Sequence, residues 1–378
     1  EGVTRQGVMG GSYDPSISPH TFAKLYQSDS IRPVYQPLST RTQVTHPIRW
    51  QGKAMQDYQL AQALESTVNR YGQQADALAQ ASQHHFSSKG KRTRSKLMFA
   101  ATPHIQNSQA LVHAGAAIEL IHEASIVHDD IQDQTTRRRG LPTVWRKFGA
   151  NAALLLGDHL VAAAFRSIAE APDIDSIKTA LMLELSESVS RAASGQHLQL
   201  TNETGGDAEG FYVNVAINKT GALLALPLQF ASLFNRKVAS DTMAARRCGE
   251  QLGLAYQILD DLKPYAKPGK LAHDEDMQNR VITAPVAACT MLFPHVDPFS
   301  TLIKRTDLRD KAIRECQRWL DTALANARYE TTFLDRAVAA VVEQFIGQRL
   351  SQKLAPPVQI TPSYANYTTQ APARVEAV

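Results

Sequence analysis

Little in this 378-residue chain suits it to covalent or metal stapling. Its three cysteines, Cys248, Cys289 and Cys316, are scattered without metal-ligand spacing, which argues against a disulfide framework and a zinc site and for a reducing, cytoplasmic setting. Charge of one sign is also scarce. Forty Lys+Arg against 36 Asp+Glu give +4, too small a bias over this length to point to nucleic acid or to an anionic membrane surface. The longest apolar runs, such as 150–164, are interrupted by Asn151, Asp158 and His159. They fall short of the roughly 18 to 20 apolar residues of a membrane span, so no span is expected. No stretch alternates polar and apolar residues as a half-buried strand does. What is plentiful is core material: 43% of residues are hydrophobic and 20% charged, enough for one large domain or two small ones. Residue 1 is Glu rather than Met, which leaves a removed targeting peptide open.

Residues 1–53 are rich in Gly, Ser, Pro, Thr and Gln without a sustained period and read as an extension. From Ala54 onward Ala, Leu, Gln and Glu recur at helical spacing. The pattern predicts helices over 55–83, 90–103, 107–130, 145–171, 175–201, 208–236, 240–263, 308–326 and 329–351. After Leu354 the chain turns to Pro, Ser, Thr, Tyr and Gln, so 355–378 read as a frayed tail. The expected architecture is all-α, with one helical domain over 54–354.

Acids that break apolar helices carry the chemistry. The helix preceding His128-Asp129-Asp130-Ile131-Gln132-Asp133 is strongly apolar. Asp129 and Asp133, four apart, share a face on which two like charges repel. Hard divalent cations relieve that repulsion, and oxygen-only ligands suit magnesium. A solvated acidic helix end is the plainer reading of such a cluster taken alone. Arg137, Arg138, Arg139 and Gly140 follow within two turns, however, and acids for metal beside fixed cations suit a diphosphate. Gly90-Lys91-Arg92-Thr93-Arg94 sits at a predicted helix start, where backbone N–H groups and basic side chains hold phosphate together. Lys219-Thr220-Gly221 breaks another apolar segment, and Gln257, Asp260 and Asp261 form a second acidic site.

These residues resemble the trans-prenyl diphosphate synthase family over about residues 54 to 350. The motifs match in order: Gly90 to Arg94, His122, Asp129 to Asp133, Arg138 to Gly140, Gly195-Gln196, Lys219-Thr220, and Gln257 with Asp260 and Asp261. The resemblance implies an isoprenoid synthase-type helical bundle around a central apolar cavity, working as a homodimer. It implies that Asp129, Asp133, Asp260 and Asp261 serve magnesium, and that Arg138, Lys219 and Lys270 hold an allylic diphosphate. In elongating members Lys91, Arg94, His122 and Arg139 would match an isopentenyl diphosphate pocket.

The chain departs from that pattern at Asp260-Asp261-Leu262-Lys263-Pro264, where the last carboxylate of the second motif is missing, and at Gln199, where the family places an acid. Lys263 lies three residues after Asp260 on the same face, and Pro264 should end the helix there. Losing an Asp and gaining Lys263 makes the site more positive by the charge of one magnesium ion. The altered motif and the extension resemble the fungal humulene synthases of tropolone sesquiterpenoid pathways. That implies farnesyl diphosphate as substrate, two magnesium ions with Lys263 in place of a third, and 1,11-closure to humulene. Lys263, Leu259 and Arg138 would then be the catalytic residues, with Leu259 lining the cavity beneath the diphosphate. Ala124 and Ser125, small where shorter-chain relatives carry aromatics, predict a roomy cavity. A chain-elongating prenyl diphosphate synthase and a non-catalytic partner subunit of one are the alternatives.

Overall fold

The computed structural model describes residues 50–350 except 74–75, 89, 105–107, 203–205 and 237–238. The expected extension, apart from its last four residues, and the tail from 355 lie outside the described residues. The chain divides into two units, 1–59 and 60–378. Of the first unit only 50–59 are described, and they are helical.

Helices account for nearly all of the described chain: α1 (Trp50–Gly72), α2 (Ala79–Phe86), α3 (Thr93–Ala101), α4 (Ser108–Gln132), α5 (Val144–Phe148), α6 (Ala150–Ala169), α7 (Asp175–Thr201) and α8 (Ala208–Ala216), then α9 (Ala222–Phe234), α10 (Ala239–Asp261), α11 (Glu275–Gln278), α12 (Ala284–Leu292), α13 (Pro298–Lys304), α14 (Thr306–Thr331) and α15 (Arg336–Phe345). One two-stranded antiparallel hairpin, β1 (Arg137–Arg138) with β2 (Leu141–Pro142), lies between α4 and α5. It was not expected from the sequence, because two-residue strands are too short to show alternation.

Helix α4 runs through the core and packs along α6. Its side chains Leu111, Ile118, Leu120, Ile121 and Val127 are each at most 3% exposed. Burying one such residue contributes about 1.5–3 kcal/mol, so this helix alone supplies a large share of the driving force. Helix α9 is apolar all round and is buried on every side, against α7, α10, α3 and α4. Helix α10 lies between α9 and α14.

Several predicted elements divide differently in space. The segment expected as one helix over 55–83 is two, because the chain turns back at Gly72. A Cβ there would meet the Phe86 ring at 2.5 Å, and Ser82 Oγ donates to the Gly72 carbonyl at 2.7 Å. No helix was expected between 264 and 307, yet α11, α12 and α13 lie there. The last two each have a proline in the first turn, where it starts a helix rather than breaking one. The expectation that no helix is apolar enough for a span also needs correction. By length and hydropathy Gln109–Gln132 and Ala150–Ala169 both reach it. The first is 89% buried in its most apolar window, as a core helix is, and the second 44%. All three cysteines are buried and free of disulfides.

Candidate active site

Helix α4 ends in a Schellman motif that sets the first acids in place. Gln134 adopts the left-handed conformation at φ 53°, Gln134 N donates to the Ile131 carbonyl at 3.3 Å, and Thr135 N donates to the Asp130 carbonyl at 3.0 Å. Asp129 and Asp133 thus stay on the last turn, where Asp133 N still donates to the Asp129 carbonyl at 2.8 Å. The hairpin follows at once. Its two turn residues, Arg139 (φ 51°) and Gly140 (φ 83°), are both left-handed, as a tight two-residue hairpin turn requires. The strand position of Arg138 and the turn position of Arg139 separate two adjacent guanidiniums. Arg138 donates from Nε to Asp130 Oδ1 at 2.8 Å, whereas Arg139 donates from Nη1 to the Ser88 carbonyl at 2.9 Å. The middle acid of the motif is therefore an anchor for Arg138, a role the sequence did not disclose.

On the opposite wall a π-helical turn, Ile217–Gly221, joins α8 to α9 and carries Lys219 and Thr220. Lys219 Nζ donates to Gln199 Oε1 at 2.9 Å and lies 3.7 Å from Asp129 Oδ2. This turn packs against glycine on both sides. A Cβ at Gly195 would meet Asn218 C at 2.9 Å, and one at Gly253 would meet Gly221 N at 2.7 Å. Thr220 Oγ1 donates to Gln257 Oε1, and Gln257 Nε2 donates to Asp261 Oδ1, each at 2.8 Å.

A cavity of about 670 Å³ brings most of the expected site residues together: Asp129, Asp133, Arg138, Lys219, Gln257, Asp260 and Asp261, with Arg94, His122 and Arg139. A second, adjoining cavity of about 340 Å³ is lined by Lys91, Arg94, His122 and Arg139. Below the aspartates the first cavity is walled by Ala124, Ser125, Val161, Val189, Ala192 and Val215, small or aliphatic as expected from Ala124 and Ser125.

Burial dominates the electrostatics here. It pushes the Asp129 carboxyl up against the opposing pull of Lys219, and Asp133 adds to the rise. It lowers His122 well below the ordinary imidazole range, helped by the nearby Arg94 charge. His122 Nδ1, Arg94 Nε and both amide atoms of Gln196 are buried without a hydrogen-bond partner among the described residues, and all three residues line the first cavity. Buried polar atoms are normally satisfied, so these orphans suit a polar ligand.

Four of the expected roles do not match the geometry. Asp261 is 8% exposed, and both its oxygens are used: Oδ1 accepts from Gln257 and Oδ2 from Ala284 N at 2.8 Å, the start of α12. Burial raises its pKa to about 7. It fastens two helices rather than presenting a ligand to metal. Leu259 is 4% exposed within the hydrophobic core and does not line the cavity, since it faces helix packing on α10. Lys263 pairs with Asp260, is 54% exposed in its side chain, and likewise stands outside the cavity lining. The reason is local: α10 ends at Asp261, and Lys263-Pro264 open a 3-10 turn that turns the lysine outward. Lys270 lies exposed on the next 3-10 turn, Pro268–His273, also outside the lining.

One carboxylate was missed. Asp276, in the short helix α11, is exposed yet lines the cavity, where partial desolvation by the surrounding wall raises its pKa to about 6 and Asp274 and Asp133 add to the rise. Its separation from the second motif by an irregular loop hid it. Asp129, Asp133, Asp260 and Asp276 provide oxygen donors of the kind a hard divalent cation takes. Among the described residues no three acids, histidines or cysteines are close enough to hold an ion unaided. The carboxylates present fit a cation that completes its shell with phosphate oxygens or water.

Residues 75–319 match the profile of the polyprenyl synthetase family. The chain belongs to that family. Similar relatives include a geranylgeranyl pyrophosphate synthase of Geoglobus acetivorans, 30% identical over 206 residues (53% of this chain, 64% of the relative). A geranylgeranyl diphosphate synthase of Sulfolobus acidocaldarius is 33% identical over 191 residues (49% and 57%), and chloroplastic solanesyl diphosphate synthase 2 of Arabidopsis thaliana 31% over 234 (59% and 55%). The matched stretch thus spans less than two thirds of these relatives' length. Among solved structures, geranylgeranyl pyrophosphate synthetase from Pyrococcus horikoshii Ot3 superposes with a TM-score of 0.65 at 24% identity, covering 79% of this chain and all of that one. Polyprenyl synthase from Caulobacter crescentus CB15, complexed with calcium and isoprenyl diphosphate, also gives 0.65, at 21% identity, covering 80% and 97%. These likenesses establish the isoprenoid synthase fold. The expectation of a humulene-forming cyclase is overturned: the relatives are named as synthases of longer prenyl diphosphates, and the two residues on which the cyclase reading leaned, Lys263 and Leu259, stand outside the cavity lining.

Proposed function

We infer that this polyprenyl synthetase is a chain-elongating prenyl transferase, condensing an allylic diphosphate with isopentenyl diphosphate. The observation that carries this is the pair of adjoining cavities, each lined by arginine and lysine, which share Arg94, His122, Arg139, Thr220 and Tyr256 as a common wall. A cyclase needs one diphosphate pocket; a condensation needs two, close enough for the chains to meet. The larger cavity takes the allylic partner, such as farnesyl diphosphate, with its diphosphate among Arg138, Lys219 and the aspartates and its tail along the small residues beside Ala124 and Ser125. The smaller cavity takes the isopentenyl partner on Lys91, Arg94 and Arg139. The allylic C–O bond breaks, the isopentenyl alkene attacks the cation, and a proton leaves to regenerate an alkene. Arg138, held by Asp130, and Lys219, held by Gln199, orient the leaving diphosphate, and the apolar wall excludes water from the cation.

Asp129, Asp133 and Asp260, with Asp276 nearby, would hold magnesium, which when bound supplies charge neutralisation at the leaving group. The sequence reading of two ions rested on Lys263 replacing a third; with Lys263 turned outward, the proposal is a magnesium requirement without a count. The open floor beside Ala124 and Ser125 favours a product of twenty carbons or more, in line with the names of the relatives. The chain is further proposed to pair with a second copy, which sedimentation would test; Leu154 and Leu155 on α6, 50% and 55% exposed, offer apolar surface.

The test is incubation with farnesyl diphosphate, magnesium and radiolabelled isopentenyl diphosphate, followed by dephosphorylation and chromatography of the alcohols. Label in a C20 or longer prenol is expected. Absence of label in any prenol, with the protein folded, would return the chain to the partner-subunit reading.

A further inference from the structure

The smaller cavity contains an acid that the reaction proposed above does not require. Glu123, next to His122 on α4, has a side chain only 2% exposed. It lines a cavity in which Lys91, Arg92, Arg94 and Arg139 bring four positive charges and Glu119 and Glu123 two negative ones. Arg92 is fully committed. It donates from Nε and Nη2 to Glu65 at 2.9 and 3.2 Å, and from Nη1 to Glu123 Oε1 at 2.7 Å. On the other side Glu123 Oε2 meets His85 Nε2 at 2.9 Å.

Arg139 is held quite differently. It lies 3.8 Å from Glu123 Oε1, a charge contact too long for a hydrogen bond, and its Nη1 donates to one backbone carbonyl, that of Ser88. Gly90 keeps this approach open, since a Cβ there would lie 3.3 Å from both Glu123 Oε1 and Arg139 Nη2. Glu123 keeps its bonds to Arg92 and His85 whether or not Arg139 stays beside it. Releasing Arg139 therefore leaves no bare buried charge. A guanidinium held by one backbone hydrogen bond and a loose charge contact, the latter to an acid that does not depend on it, is poised to exchange that acid for a stronger anion.

We propose that Glu123 is a positioning residue that sets the diphosphate affinity of the smaller cavity by competing with the bound diphosphate for Arg139. It holds Arg139 at the cavity wall while the site is empty and yields it when a diphosphate arrives. The cost of that exchange weakens binding and speeds departure of the elongated product, whose diphosphate is the one this cavity holds. This inference rests on the smaller cavity being a diphosphate site, as proposed above.

The competition and a merely bracing role have opposite consequences. Glu123→Gln keeps an acceptor for Arg92 but removes the charge, so diphosphate should bind about tenfold tighter. Simple bracing predicts weaker binding as the arginines loosen. His85→Ala removes a partner of Glu123, leaves its charge less balanced, and should weaken diphosphate binding. The experiment is calorimetric titration of the full chain with inorganic diphosphate in chelator, which leaves the aspartate-lined cavity without metal, on wild type and the variants Lys91→Ala, Glu123→Gln and His85→Ala. Lys91 lines the smaller cavity alone of the two. Steady-state runs accompany it. The KM for isopentenyl diphosphate should fall with Glu123→Gln and rise with His85→Ala, while the KM for farnesyl diphosphate stays put. Weaker or unchanged binding in folded Glu123→Gln overturns the proposal. If that variant does not fold, unchanged or tighter binding in His85→Ala overturns it. Wild-type binding that Lys91→Ala leaves intact, or no binding at all, sinks the diphosphate reading of this cavity and the inference with it.

Discussion

Replacing Gly253 with alanine adds one methyl group that meets only backbone, yet it should cut the proposed prenyl transfer sharply. The new Cβ would lie 2.7 Å from Gly221 N, closer still to Gly221 Cα, and 3.2 Å from Thr220 C. All of these are backbone atoms, so no side chain can swing aside. Ordinary contact begins at 3.4 Å, so the π-helical turn or α10 must move by more than 0.7 Å. The turn carries Lys219 and Thr220, and α10 carries Gln257 and Asp260, so either movement opens the wall of the cavity. Overpacking of this kind costs about 1–3 kcal/mol. A displacement approaching 1 Å between positioning groups can cost on the order of 10²-fold in rate, so a loss between about tenfold and a hundredfold is expected. Thermal melting would measure the first effect, and label transfer from isopentenyl diphosphate at saturating substrates the second. Wild-type turnover from a variant with an unchanged melting temperature would refute the close packing of this turn and its part in placing Lys219.

Asp129→Asn should lower turnover by about 10²-fold or more while leaving the melting temperature unchanged or higher, because the wild-type carboxylate is half-buried and desolvated beside other acids; near-normal turnover would return the cluster to a solvated helix end. Asp261→Ala leaves Ala284 N and Gln257 Nε2 without their acceptor and should cost about 1–3 kcal/mol in denaturant titration, far more than a surface acid would. Lys263→Ala should do little: the pair with Asp260 is solvent-exposed and worth under about 1 kcal/mol, and turnover should stay near wild type across a magnesium titration. Burial would raise Glu123, but the hydrogen bond and charge of His85, with the charge of Arg139, hold it at about 2 against a usual 4.5. Its ionised form therefore stabilises the fold above pH 4.5, and that contribution, on the order of 3 kcal/mol, is lost as pH falls towards 2. The difference in unfolding free energy between wild type and Glu123→Gln should shrink over that window, and a constant difference would contradict the depressed pKa.

What the sequence by itself determined is local in origin. Helical periodicity marked α3, α4, α7 and α10 closely, since each is a continuous amphipathic or apolar run whose period is a property of neighbouring residues. The shared face of Asp129 and Asp133 follows from helix geometry alone, and so did their nearness to Arg138 and Arg139 in the chain. The family was legible for the same reason, because short motifs keep their spacing. The tertiary structure decided what those residues meet. Asp261 looked like a ligand beside Asp260, but one position along a helix turns a side chain by about 100°, towards Ala284 and Gln257 on other segments. Lys263 looked like a recruited cation until the helix end turned it to solvent. Asp276 entered the site, and Glu123 joined Arg92, His85 and Arg139, through approaches between segments distant in sequence. Charge type and spacing are written in the chain, whereas the partner of a buried charge depends on which helices pack together.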